Sequence, residues 1–333
     1  MDNSLIVLIR GIQLARYSEL TSSTIIIYDH LVTLDLEIQL IWRSGWSVGK
    51  CLFLLNRYYG LGATIFNNYV LFTPTVTDEV SYHWLRWQAA TGVIIFVLGE
   101  LILQLRIYAM YFGNRKILTL MATTTISCIV VATTLLMISL VKLQENSHLV
   151  PGMSFCAVIK LPKNFYAFWI PVLISETLLC GLALVQGLQT FFRLRGVYHT
   201  SRELLESLMR DSLLYFVTIF VVYVVNLTIW FSGNPATLEA AVGYAVTVTC
   251  VMGNRLCLNV RGMLQSNSEL LSLSKTSPHI SFVGHISRRF NDVGQLSTHI
   301  IVLDFASLER EGLGEELPDE EILKDGAEGV TGV

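Results

Sequence analysis

Seven apolar stretches, separated by short polar breaks, occupy most of the first 260 residues. They run over about 21–42, 50–72, 85–109, 117–141, 166–191, 212–232 and 237–259, each near the ~20 residues a tilted helix needs to cross a bilayer core. No Lys, Arg, Asp or Glu occurs from Tyr58 to Thr77, from Ile117 to Val141 or from Ser212 to Leu238. The pattern predicts an all-α, multi-pass bundle of seven spans. The first segment is the weakest, because it carries Asp29, Asp35 and Glu37. All six tryptophans (Trp42, Trp46, Trp84, Trp87, Trp169, Trp230) fall at or near segment ends, where an indole suits the headgroup level.

Composition agrees: 53% of residues are hydrophobic and 15% are charged, against roughly 25% charged in soluble domains. Loop charge sets the orientation. With the N-terminus outside, nine bases face inward (Arg43, Lys50, Arg115, Lys116, Arg193, Arg195, Arg202, Arg210, Arg261) and five outward (Arg10, Arg16, Lys142, Lys160, Lys163). The positive-inside rule then predicts N-terminus out and C-terminus in. Residues 1–20 are expected to be extracytoplasmic, 21–261 to form the transmembrane domain, and 262–333 to form a largely disordered cytosolic tail. Ten acids against two bases give residues 304–333 a balance of −8. The Asn226-Leu227-Thr228 sequon lies inside the sixth segment, where glycosylation is not expected.

Charges inside spans are costly unless paired or hydrated, which makes them the candidates for function. They are Asp29, Asp35 and Glu37 in segment 1, Arg57 in segment 2, Glu100 and Arg106 in segment 3, and Glu176 in segment 5. Asp211 and Arg255, at the inner ends of segments 6 and 7, form a candidate inner-face pair. Asp35, Arg57 and Glu100 sit at similar depth in the inner half, so an acid–base layer is allowed there. Helical periodicity puts Asp29, Thr33 and Glu37 on one stripe and turns Asp35 away with Gln39 and Trp42. Glu100 stacks with Gln104. Glu176 shares a face with Cys180, Ala183 and Gly187 and should point into the bundle. The polar network expected from Asp35, Glu37, Arg57, Glu100, Arg106 and Glu176 reads first as a set of interhelical ties. Glu176, with no base at its depth, is the residue singled out for function.

Several strings are similar to a known family. Tyr28-Asp29-His30-Leu31-Val32-Thr33-Leu34-Asp35-Leu36-Glu37, Ile41-Trp42, Trp46, Lys50 and Leu52-Phe53-Leu54-Leu55-Asn56-Arg57-Tyr58 resemble an N-terminal domain of unknown function found in basidiomycete fungal membrane proteins. Leu105-Arg106-Ile107-Tyr108-Ala109-Met110-Tyr111, Phe168-Trp169-Ile170-Pro171, Leu208-Met209-Arg210-Asp211 and Asn254-Arg255-Leu256-Cys257-Leu258-Asn259-Val260-Arg261 extend the resemblance over about residues 20–262. It implies a helical integral membrane protein whose first part, about 25–72, is that domain, and it assigns no biochemical role. Cys156 stands where those proteins commonly have a loop cysteine, without the second cysteine before Trp84 that would accompany it.

Among function classes, a receptor-like or sensor seven-helix protein fits the topology best. A transporter or channel using intramembrane acids is the alternative, and an intramembrane enzyme ranks below both. Segment 7 has no lysine to carry a retinal Schiff base, and segment 3 lacks an acid beside Arg106. There is no metal-ligand spacing and no basic patch for nucleic acid. No catalytic set, cofactor or metal is therefore expected. The expected partners are the lipid bilayer, a small-molecule or lipid ligand, and a cytosolic partner of the tail. The membrane is expected to be the plasma membrane.

Overall fold

A computed structural model describes residues 3–73, 78–146, 165–194, 199–232 and 235–276. Among them there is helix and no strand. The helices are α1 (Asn3–Glu37), α2 (Val48–Leu54), α3 (Gly60–Phe72), α4 (Asp78–Met110), α5 (Arg115–Asn146), α6 (Trp169–Leu194), α7 (His199–Ser232) and α8 (Pro235–Thr276). A π-helical turn, Ile38–Trp42, prolongs α1, and another, Leu55–Tyr59, joins α2 to α3 without a break. The described residues therefore form seven continuous rods. Ser47 starts the second rod by accepting from the Lys50 amide at 3.3 Å. Phe112 and Gly113, at φ 54° and 72°, close α4, with the Gly113 amide bonded back to the Tyr108 carbonyl at 3.0 Å. Asn114 then caps α5 through the Lys116 amide.

Among the described residues, five helices are long and apolar enough to cross a membrane: Arg86–Met110, Arg115–Val141, Tyr166–Gln189, Leu213–Phe231 and Ala241–Met263. Each overlaps one of the last five stretches read from the sequence. The two N-terminal rods do not meet that measure. Acids and hydroxyl residues dilute α1, and the π turn divides the second rod into α-helical pieces of 7 and 13 residues. The acidic tail and Cys156 lie outside the described residues.

The five apolar helices enclose the main core, built on Ile102, Leu103, Leu179, Ala183, Phe216 and Leu256. α8 is the hub, packing against α7 and α4 on one side and α1 on the other. α1 and α8 run parallel, because their contacts keep nearly constant separations. Thr247 donates to the Ser22 carbonyl, Arg255 to Asp29 and Arg261 to the Leu40 carbonyl, pairs 225, 226 and 221 residues apart. This register sets residues of α1 from Glu19 onward beside the apolar span of α8. The second rod runs antiparallel to α1: Asn67 meets Glu19, Asn68 meets Ser23, and Arg57 meets Thr33.

Two glycines permit close approach. A Cβ on Gly60 would lie 2.7 Å from Cys250 Sγ, and one on Gly99 would lie 2.5 Å from Thr249 Cγ2. The tryptophans depart in part from the border role. Trp42 and Trp46 are exposed, but Trp84, Trp169 and Trp230 are buried. They stand at helix ends with their rings turned inward: Trp84 donates to Asn67 Oδ1, while Trp169 and Trp230 stack with each other and with Phe168. An end position fixes depth and leaves open the side of the helix an indole takes. Gly60→Val is expected to push the second rod off α8 and to lower stability by about 1–3 kcal/mol, read as an earlier thermal unfolding transition of the purified protein in detergent.

Candidate functional site

Buried polar side chains collect at two places, on opposite sides of α8. The first joins α1, the second rod and α8. Arg57, from the π turn, is 2% exposed, and its Nε lies 2.6 Å from Glu37 Oε2. Its Nη1 donates to Thr33 Oγ1 at 2.9 Å and its Nη2 to the His30 carbonyl at 3.0 Å. Glu37 Oε1 also accepts from Tyr58 at 2.8 Å and from Trp42 at 3.0 Å. Both charges are thus answered by hydrogen bonds as well as by each other, which a buried ion pair requires. The π turns contribute to this geometry: one supplies Arg57 and Tyr58, and the other Trp42, from positions where the regular i to i+4 ladder is interrupted.

Next to Arg57, Asn56 donates to the Cys250 carbonyl at 3.0 Å and to Asn254 Oδ1 at 2.9 Å. Arg255, next to Asn254, donates through Nε to Asp29 at 2.6 Å. The second rod and α8 therefore use the same dipeptide in the same way. In Asn56-Arg57 and Asn254-Arg255 the amides meet each other, and the guanidiniums reach two acids eight residues apart on α1. Further along, Glu19 accepts from Asn67, which in turn accepts from Trp84.

The second centre lies among α4 to α8. Glu100 and Glu176 are each 1% exposed. Gln104 donates to Thr125 Oγ1 at 2.8 Å, Thr125 donates to Glu100 Oε2 at 3.3 Å, and Thr125 shares a 3.0 Å bond with Ser175. Glu176 follows Ser175 on α6 and lies in the electrostatic field of Glu100; its own field reaches Tyr223, whose hydroxyl shares a 2.9 Å hydrogen bond with Thr249 on α8. Neither carboxyl is fully satisfied: Glu100 Oε1 and Glu176 Oε2 have no hydrogen-bond partner. No base is among the groups acting on either acid. Two buried carboxyls acting on one another do not both stay charged without a cation, so the arrangement is suited to holding a proton or a small cation.

The residues singled out from sequence therefore separate into groups. Glu37 and Arg57 come together, as do Glu100 and Glu176. Asp35 joins neither; it is exposed and bonds Gln39 only, on the opposite side of α1 from Glu37. Arg106 is buried nearly two turns beyond Glu100, near the C-terminal end of α4 and within the field of Cys257. Arg255 bonds Asp29; the side chain of Asp211, the other member of the candidate inner-face pair, lies outside the described residues. Sequence reasoning passed over Asn56, Asn254, Thr125, Ser175 and Tyr223. The repeated Asn-Arg dipeptide was the available signal for the first two, and mid-span polar residues for the others. Among the described residues, no group of three or more His, Cys, Asp or Glu is placed to hold a metal.

Residues 17–62 match a family of unknown function, DUF6533. That segment runs from α1 through the first π turn into the second, and contains Asp29, Thr33, Glu37, Asn56, Arg57 and Tyr58. The match thus covers the hairpin that carries the first polar centre, together with its docking groups for α8, and leaves out Glu100 and Glu176. No curated protein and no solved structure is significantly similar to the chain.

Arg57→Met alone is expected to cost about 3–5 kcal/mol by stranding Glu37, while Arg57→Met with Glu37→Leu recovers most of that loss. Asp35→Asn should change stability by under about 0.5 kcal/mol. Unfolding of the four proteins in mixed micelles by added denaturing detergent measures the order.

Proposed function

We propose that this chain is a seven-span integral membrane protein of the receptor-like kind, with its N-terminus outside and its tail in the cytosol. Five apolar helices support the membrane setting. The parallel register of α1 with α8 supports counting α1 as a further span: a helix held beside a span by Ser22–Thr247, Asp29–Arg255 and Leu40–Arg261 shares its depth. The antiparallel second rod completes seven. The balance of loop bases supports the orientation, and the resemblance to fungal membrane proteins and the plasma membrane as compartment belong to the same reading.

The observation that carries the sensor reading is the base-free acid pair and its link to α8. Glu100 and Glu176 form a centre whose charge depends on what it binds. Tyr223 couples that centre to Thr249, and Gly99 lets α4 rest directly on the same threonine. α8 continues beyond Met263 to Thr276, giving a change at the centre a mechanical route past the bilayer. Toward the α6 start, Phe168, Trp169 and Trp230 pack over the centre. Such a cover suits a site that responds to an occupant better than an open conduction path, which favours sensing over transport.

The test is a distance measurement by paired spin labels on full-length protein in nanodiscs. Labels replace exposed Lys116, at the start of α5, and Gln265, on α8. Acidification or sodium addition is expected to shift the distance distribution in wild type and to leave it fixed in Glu176→Gln. One distribution, unchanged by pH, by sodium and by the substitution, would contradict the sensor reading.

A further inference from the structure

At the inner end of the hairpin, two bases converge on one residue. Lys50 Nζ donates to the Ser44 carbonyl at 2.8 Å, and Arg261 Nη1 donates to the Ser44 hydroxyl and to the Leu40 carbonyl at 3.2 Å. Arg261 Nη2 reaches Ser47 Oγ at 3.0 Å. Every one of these partners is neutral. Lys50 is only 4% exposed, with its ammonium 4.9 Å from the centre of the Trp46 ring. The acids nearest along α1 are already engaged, Asp35 with Gln39 and Glu37 with Arg57, Tyr58 and Trp42. Two positive charges thus meet at one serine with no acid to answer them among the described residues. Arg43, exposed, precedes that serine.

The level of this cluster identifies what answers it. Arg261 lies two residues before the end of the α8 span at Met263. Trp42 and Trp46, 52% and 70% exposed, flank the cluster, the arrangement of an indole belt at the boundary between acyl chains and headgroups. A neighbour at that depth, anionic and reached from the lipid side, is a phospholipid headgroup. The spare N–H groups on Lys50 and Arg261 suit a phosphate oxygen. We infer that Lys50, Arg261 and the Ser44–Ser47 turn form a binding site for the phosphate of an anionic membrane phospholipid. The site lies at the foot of the segment matching DUF6533 and closes against α8, so the lipid joins the two. It is separate from the acid pair of the core.

The experiment uses full-length protein, stripped of lipid, and native mass spectrometry with phosphatidylserine or phosphatidylcholine added at equal concentration, and with inorganic phosphate as a third probe. Wild type is expected to retain phosphatidylserine in preference to phosphatidylcholine. At about one factor of five per base, Lys50→Gln should lose roughly fivefold in phosphatidylserine binding, and Lys50→Gln with Arg261→Gln roughly thirtyfold, with phosphatidylcholine unaffected. Arg261→Lys, which keeps the charge, should restore most of the preference and shows that the loss is not misfolding. Equal retention of the two lipids by wild type, or an undiminished preference in the double variant, would overturn the site. Inorganic phosphate bound by the same two bases with no lipid preference would overturn the assignment to lipid.

Discussion

A guanidinium inside an apolar slab must find an anion on another helix, and that demand organises the N-terminal third of this protein. Arg57 cannot be solvated where it sits, so the second rod closes on α1 until Glu37, Thr33 and the His30 carbonyl surround it. Arg255, although its side chain is exposed, ties α8 to α1 by pairing with the buried Asp29. Satisfying both at once leaves α1 little freedom. Its acids at 29 and 37 lie two turns apart on one stripe, and the two arginines approach that stripe from different helices. Asn56 and Asn254 then bond across the remaining contact, which fixes the second rod against α8. The polar groups specify which helices meet and in what register, a role in which buried charges are well attested. They do so at some cost in stability relative to apolar packing.

The acid centre of the other five helices follows a different logic. There the carboxyls of Glu100 and Glu176 meet hydroxyls and an amide, and no base closes the balance. The hairpin's charges answer one another, whereas Glu100 Oε1 and Glu176 Oε2 are left without a hydrogen-bond partner. α8 touches both centres, through Arg255 and Asn254 toward the hairpin and through Thr249 toward the acids. It is the element common to both.

Much of this was readable along the chain, because hydropathy records depth. The last five spans fall where the apolar runs place them. The Asp29-Thr33-Glu37 stripe, the separate facing of Asp35, and the inward face of Glu176 all follow from 100° per residue. The pairing of Arg255 with Asp29 did not follow, since 226 residues separate the two and a single sequence does not say which helices are neighbours. The buried tryptophans were missed for a related reason: a position near a helix end says nothing of the side an indole takes, which packing against other helices sets. The π turns carry no hydropathy signature, yet they aim Arg57 and Trp42.

The central claim is that the hairpin lies against α8 in parallel, at one register. Disulfide trapping in full-length protein measures this directly. Ser22→Cys with Thr247→Cys, whose native groups are bonded at 3.3 Å, should cross-link readily in the membrane, whereas Ser22→Cys with Arg261→Cys should not. Cross-linking of the second pair and not the first would mean that α1 runs the other way, and neither the shared Asn-Arg geometry nor the seven-span arrangement would stand.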